Sequence, residues 1–138
     1  MNELAFTYLE NQVLDWLLGG EEPVLYELRQ QLCSAKIKIR KYTGVGFYLY
    51  FDVPGNIPSL ESLNVKSSFC FGDVEVLITD GDHKQRVGFL LWIRDGYIDS
   101  LEAYTYGDEK WPEKIEKMHL RYIGEKRDFN DLRQIWAL

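Results

Sequence analysis

An α+β fold, with an N-terminal helical hairpin packed on a mainly antiparallel, meander-like sheet of about five or six strands, is predicted by three observations. Apolar residues recur at helical spacing up to about residue 34 and then alternate from Lys36 onward. Asp95-Gly96, a strong two-residue turn signal, joins two such alternating runs. The 138 residues are 46% apolar and 14% aromatic, enough for one hydrophobic core and too few for two, so a single domain spanning 1–138 is expected.

Phe6, Leu9, Val13, Trp16 and Leu17 form the stripe of a first helix over residues 3 to 18, which Gly19-Gly20 would end. Pro23 suits the first turn of a second helix, whose Leu25, Leu28 and Leu32 face the core. In the first strand Ile37 and Ile39 alternate with Lys36, Lys38 and Arg40, giving an apolar face and a basic one. After a Thr43-Gly44 turn, Phe47, Leu49, Phe51 and Val53 alternate with Tyr48, Tyr50 and Asp52 until Pro54-Gly55. Residues 56 to 68 read as a loop, and Val74, Val76 and Ile78 mark the third strand.

The fourth strand, residues 87 to 94, is apolar on both faces and is assigned to the middle of a sheet covered on two sides. A type I′ turn at Asp95-Gly96 sets a register in which Ile93 faces Ile98, Leu91 faces Ser100, Phe89 faces Glu102 and Val87 faces Tyr104. Leu90 then faces Leu101 on the other side. Trp111-Pro112 marks a loop, Met118, Leu120 and Tyr122 a last strand, and Asp128 caps a terminal helix presenting Phe129, Leu132 and Trp136.

The net charge of −6 is local: residues 1 to 28 hold Glu3, Glu10, Asp15, Glu21, Glu22 and Glu27 and no Lys or Arg, leaving 16 acidic against 16 basic residues elsewhere. Such an anionic surface disfavours nucleic acid and suits a basic protein partner. No apolar stretch approaches membrane-spanning length and no secretory leader is visible, so no membrane association and a cytoplasmic location are expected. Cys33 and Cys70 make no disulfide framework, and neither has the context of a nucleophile. His83 and His119 lack ligand-spaced partners, and no phosphate-cradling glycine loop or nucleophile elbow is present, so no metal, cofactor or catalytic set is assigned.

Glu102 is the most unusual ionisable residue, because the expected register sets it on an apolar face. One reading makes it a raised-pKa acid or ligand anchor beside Tyr104 and Tyr106; the other makes it a carboxylate at the sheet margin bonded to a Tyr hydroxyl or a loop amide. The second is preferred. Tyr106, Asp108, Glu109 and Trp111 form an aromatic, acidic loop that either anchors a partner or covers the end of the sheet. Tyr48 and Tyr50 either extend an aromatic surface or pack under the helices.

The segments Thr43-Gly44-Val45-Gly46-Phe47-Tyr48, Gly88-Phe89-Leu90-Leu91-Trp92, Asp95-Gly96 and the run from Leu101 to Pro112 (LEAYTYGDEKWP) resemble a group of small, mostly uncharacterised bacterial proteins over roughly residues 10 to 112. The resemblance implies a bacterial cytosolic α+β domain and carries no activity. The profile of acidic helices, sheet and aromatic loop is also similar in style to toxin-neutralising immunity proteins. The leading expectation is a non-enzymatic interaction module, of the immunity type, which binds a basic partner through Glu10, Asp15, Glu21 and Glu22 or through the Tyr104–Trp111 loop. The alternatives are a small-molecule binder or weak enzyme whose pocket, between sheet and helices, holds Glu102 and Tyr104, and a homodimer joined through an edge strand or exposed aromatics.

Overall fold

In the computed structural model, which describes residues 5–138, three helices cover one face of a seven-stranded antiparallel sheet. The chain runs α1 (Tyr8–Leu18), α2 (Pro23–Ser34), β1 (Lys36–Tyr42), β2 (Gly46–Asp52), β3 (Phe69–Phe71), β4 (Val74–Asp80), β5 (His83–Arg94), β6 (Tyr97–Thr105), β7 (Lys117–Tyr122) and α3 (Phe129–Trp136). The strand order is β1-β2-β6-β5-β4-β7, and β3 pairs with the end of β5 that β4 leaves free. The α+β architecture follows the sequence pattern, with one strand more than expected: β3 is too short to show a period.

Helix α1 starts later than its apolar stripe suggests. The Thr7 hydroxyl accepts from the Glu10 N–H at 3.1 Å and the Glu10 carboxylate from the Thr7 N–H at 2.9 Å, a reciprocal cap that leaves Phe6 before the helix. The expected residues 3 and 4 lie outside the described residues. The last turn of α1 holds no basic residue of its own. Its C-terminal carbonyls are met instead by arginines from elsewhere: Arg29 reaches Leu18 O at 2.5 Å and Gly20 O at 2.8 Å, and Arg127 reaches Gly19 O at 2.5 Å and also Leu17 O.

The core lies between the helices and the covered sheet face. Val13, Leu14 and Leu17 of α1 and Leu25 and Leu28 of α2 are buried with Leu49, Phe89, Leu91 and Leu101 of the central strands. Each fully buried Leu contributes about 1.5–3 kcal/mol. Helix α3 closes the β3 end, where the Trp136 ring meets Phe71 edge-on at 5.8 Å.

Gln31, fully buried on α2, ties the helices to the central hairpin. Its Nε2 donates to Gly96 O (2.9 Å) and Pro58 O (3.1 Å), and its Oε1 accepts from the Ile98 N–H (2.9 Å). The turn itself is the one predicted, with Asp95 and Gly96 both at positive φ (52° and 81°).

Two bulges correct the expected registers. In β1, Lys38 has no counterpart between Phe51 and Tyr50, so Ile39 turns outward, 45% exposed, and Arg40 turns toward the helices. In β6, Asp99 has no counterpart between Ile93 and Trp92. The pairs beyond it are Trp92–Ser100, Leu91–Leu101, Leu90–Glu102, Phe89–Ala103 and Gly88–Tyr104, one residue away from the expected set. Because side chains alternate, that single residue moves Glu102 and Tyr104 to the opposite face of the sheet. β5 is central, as expected, but only one of its faces is covered: Trp92 on the other is 39% exposed.

Candidate interaction surface

Cross-strand pairing orders the uncovered face into three rows. One runs Lys41, Tyr48, Glu102, Leu90; the next Ile39, Tyr50, Ser100, Trp92, Cys70; the third Gly46, Tyr104, Gly88, Glu75, Arg121. Tyr48 and Tyr50 stack with ring centroids 6.1 Å apart, and Tyr104 meets Tyr106 edge-on at 5.9 Å. Gly88 is what lets Tyr104 lie across the sheet: a Cβ there would stand 2.6 Å from the Tyr104 ring and hydroxyl. The result is an aromatic band spanning β2, β6 and β5, with Lys41 Nζ already 5.9 Å over the Tyr50 ring.

Two carboxylates punctuate the band. Glu75, 7% exposed, accepts from Arg121 Nε at 2.8 Å and the Tyr106 hydroxyl at 2.8 Å, and pairs with Arg86 at 3.5 Å. Burial pushes its pKa up, but the Tyr106 and Arg121 hydrogen bonds and the charges of Arg121 and Arg86 outweigh burial and hold it below the usual value. Glu102 accepts from the Trp92 indole N–H at 3.0 Å and lies across the strands from Tyr48.

Burial, then Glu102, raises the Tyr48 pKa; burial, then the charges of Glu102 and Glu75, raises that of Tyr104. Burial and then Glu102 also push the Cys70 thiol up, which keeps it protonated and a poor nucleophile. The face therefore offers hydroxyl and indole hydrogen-bond donors, aromatic rings and the carboxyl groups of Glu75 and Glu102.

The other predicted site residues scatter. Glu10 is 1% exposed and locked to Arg40, so it is no part of the outer acidic surface expected of it. Glu22 is half-buried against Arg133 at 2.7 Å, while Asp15 and Glu21 are exposed. Asp108 and Glu109 are exposed, but their loop is tied down: the Thr105 hydroxyl donates to Glu109 O at 2.5 Å and Trp111 packs edge-on against Phe47 at 5.4 Å. The loop thus covers the end of β2, and Tyr106, 38% exposed, is the member of it that joins the aromatic band.

The expected pocket around Glu102 and Tyr104 between sheet and helices is corrected by the Asp99 bulge, since both side chains leave the sheet on the side without helices. A cleft of about 480 Å³ does exist beside α3, lined by Pro23, Val24, Leu63, Val65 and Trp136 among others, and includes neither residue. Sequence reasoning passed over Trp92 and Leu90 as surface groups because the run Val87–Arg94 is apolar at both parities. No helix among the described residues is long and apolar enough to cross a membrane, and no three His, Cys, Asp or Glu among them are grouped to hold a metal.

Comparison with protein-family models, with curated proteins and with solved structures finds no match to the chain.

Proposed function

We propose that this protein is a non-enzymatic interaction module that docks a basic protein partner on the open face of its sheet, in the manner of an immunity-type protein. The observation that carries the reading is the band of Tyr48, Tyr50, Trp92 and Tyr104, half-exposed on rigid strands and organised around Glu102. Half-exposed aromatics on a preformed surface are the usual anchors of protein interfaces, because they bury large area at small entropic cost. The net charge of −6 favours a cationic partner over nucleic acid. The exposed Asp15, Glu21, Asp108 and Glu109 serve as steering charges outside the docking face.

The test is comparative capture from the native host with three baits: wild type, Tyr50→Ser/Trp92→Ser, and Asp15→Lys/Glu21→Lys. A basic protein retained in stoichiometric amount by the wild type, and at least about tenfold less by the aromatic double variant once both proteins are purified, is the expected result. Charge reversal on the helices should slow association and leave the complex intact. Equal retention by the aromatic double variant overturns the proposal.

A further inference from the structure

Glu75 and Glu102 stand on the same sheet face, and the fold treats them oppositely. Glu75 is neutralised within the chain by Arg121 and Arg86 and bonded by the Tyr106 hydroxyl. Glu102 accepts from the neutral Trp92 indole N–H with Tyr48 across from it, and no Lys, Arg or His among the described residues forms an ion pair with it. Glu102 is half-buried within the aromatic band, where water is a reduced source of compensation. One neutral donor uses part of a carboxylate that has about four acceptor positions. It orients the group and leaves acceptor positions open on its outer side.

Its surroundings favour one kind of complement. Tyr48 and Leu90 lie directly beside Glu102 across the strands, and Trp92 and Tyr104 lie near it on the same face. A carboxylate framed by aromatic rings suits a cation that is planar, weakly hydrated and able to stack while donating two parallel hydrogen bonds. Those are properties of a guanidinium more than of an ammonium. Lys41, held over Tyr50, shows that this band takes a cation even from the chain itself.

We infer that Glu102, framed by Tyr48, Trp92 and Tyr104, is an arginine-recognition subsite that receives a guanidinium side chain of the partner protein. The inference rests on the docking reading above and names the contact that decides partner choice. Trp92 is a positioning residue for the carboxylate, and Trp92 and Tyr48 are walls of the subsite. The neutralised Glu75 supplies an internal contrast, since the same face bears a carboxylate with no vacancy for an outside cation.

The test uses the ¹⁵N-labelled full chain and watches the Trp92 indole N–H resonance, assigned by its loss in Trp92→Phe. The probe is Nα-acetyl-arginine amide, and the control is the isosteric, uncharged Nα-acetyl-citrulline amide. A saturable shift with the arginine probe, none with citrulline, and an affinity at least about tenfold lower in Glu102→Gln are expected. An otherwise unchanged spectrum for that variant shows that the fold is retained. No saturable shift, an equal shift with citrulline, or an unaltered Glu102→Gln variant overturns the subsite.

Capture of the partner separates the two proposals. If Tyr50→Ser/Trp92→Ser loses the partner while Glu102→Gln keeps it and the probe does not bind, the subsite falls and the docking face stands. If the probe binds in a Glu102-dependent way while the aromatic double variant keeps its partner, the docking face falls instead.

Discussion

Replacing Glu10 with Ala should be among the most damaging single changes in this chain. The Glu10 and Arg40 side chains are 1% and 7% exposed, and two hydrogen bonds of 2.9 and 2.7 Å join them. Removing the carboxylate takes away the charge that compensates the buried Arg40 guanidinium, which keeps the Ala5 carbonyl at 3.1 Å among its partners, a loss of about 3–5 kcal/mol. The Thr7 N–H also loses its acceptor, about 0.5–1 kcal/mol more. With about 2.1 cal/mol/K of unfolding entropy per residue, 138 residues give roughly 0.29 kcal/mol per degree, so Tm should fall by about 12–20 °C. Thermal and urea unfolding followed by circular dichroism measure this directly. Glu10→Leu combined with Arg40→Met should recover most of the loss, because both charges then leave the interior together. A loss below about 1 kcal/mol for Glu10→Ala, or a double variant no more stable than the single, would refute the claim that each charge depends on the other.

Two further perturbations probe other joints of the fold. Gln31→Leu removes the acceptor of the Ile98 N–H and the donor to Pro58 O, leaving Gly96 O to the Leu60 N–H, and should cost about 2–4 kcal/mol in urea unfolding with faster amide exchange at Ile98; unchanged exchange there would contradict the role given to Gln31. Glu75 has a folded-state pKa below its ordinary 4.5, so its contribution to stability is present above about pH 4.5 and is lost as pH falls through the lower folded value. The stability advantage of wild type over Glu75→Gln should therefore shrink on acidification, and a gap that stays constant down to pH 2–3 would show that the charge plays no part.

The helical hairpin, strands β2 and β4, the Asp95-Gly96 turn and the capped last helix were legible because each repeats a period over several residues or depends on one backbone requirement. The faces of β1 and β6 were not, and both errors have one physical origin. A bulge changes which side a residue faces without changing composition. In β6 a trace was present: Ile98 is apolar at an even position, Leu101 and Ala103 at odd ones, so the parity of the core residues switches across Asp99. In β1 the trace was misleading, since Ile37 and Ile39 share a parity and only the partner strand shows that one of them has turned out.

The aromatic band was half legible for a related reason. Tyr48 and Tyr50 stood out as polar-side aromatics, but Trp92 was hidden in a run that is apolar throughout. Gln31 and Arg127 were invisible, because a side chain that bonds backbone carbonyls far along the chain leaves no periodic mark.

The charge segregation along the chain acquires a different meaning once the arginines are traced. Arg40 from β1, Arg127 from the loop before α3 and Arg133 from α3 end on Glu10, on the carbonyl end of α1 and on Glu22. The N-terminal segment is anionic and the rest of the polypeptide is balanced, yet these three arginines converge on that segment as if on a separate partner that happens to share a backbone. Glu10 and Glu22 are thus spent inward, as the chain's own counter-ion supply, while Asp15 and Glu21 face the world.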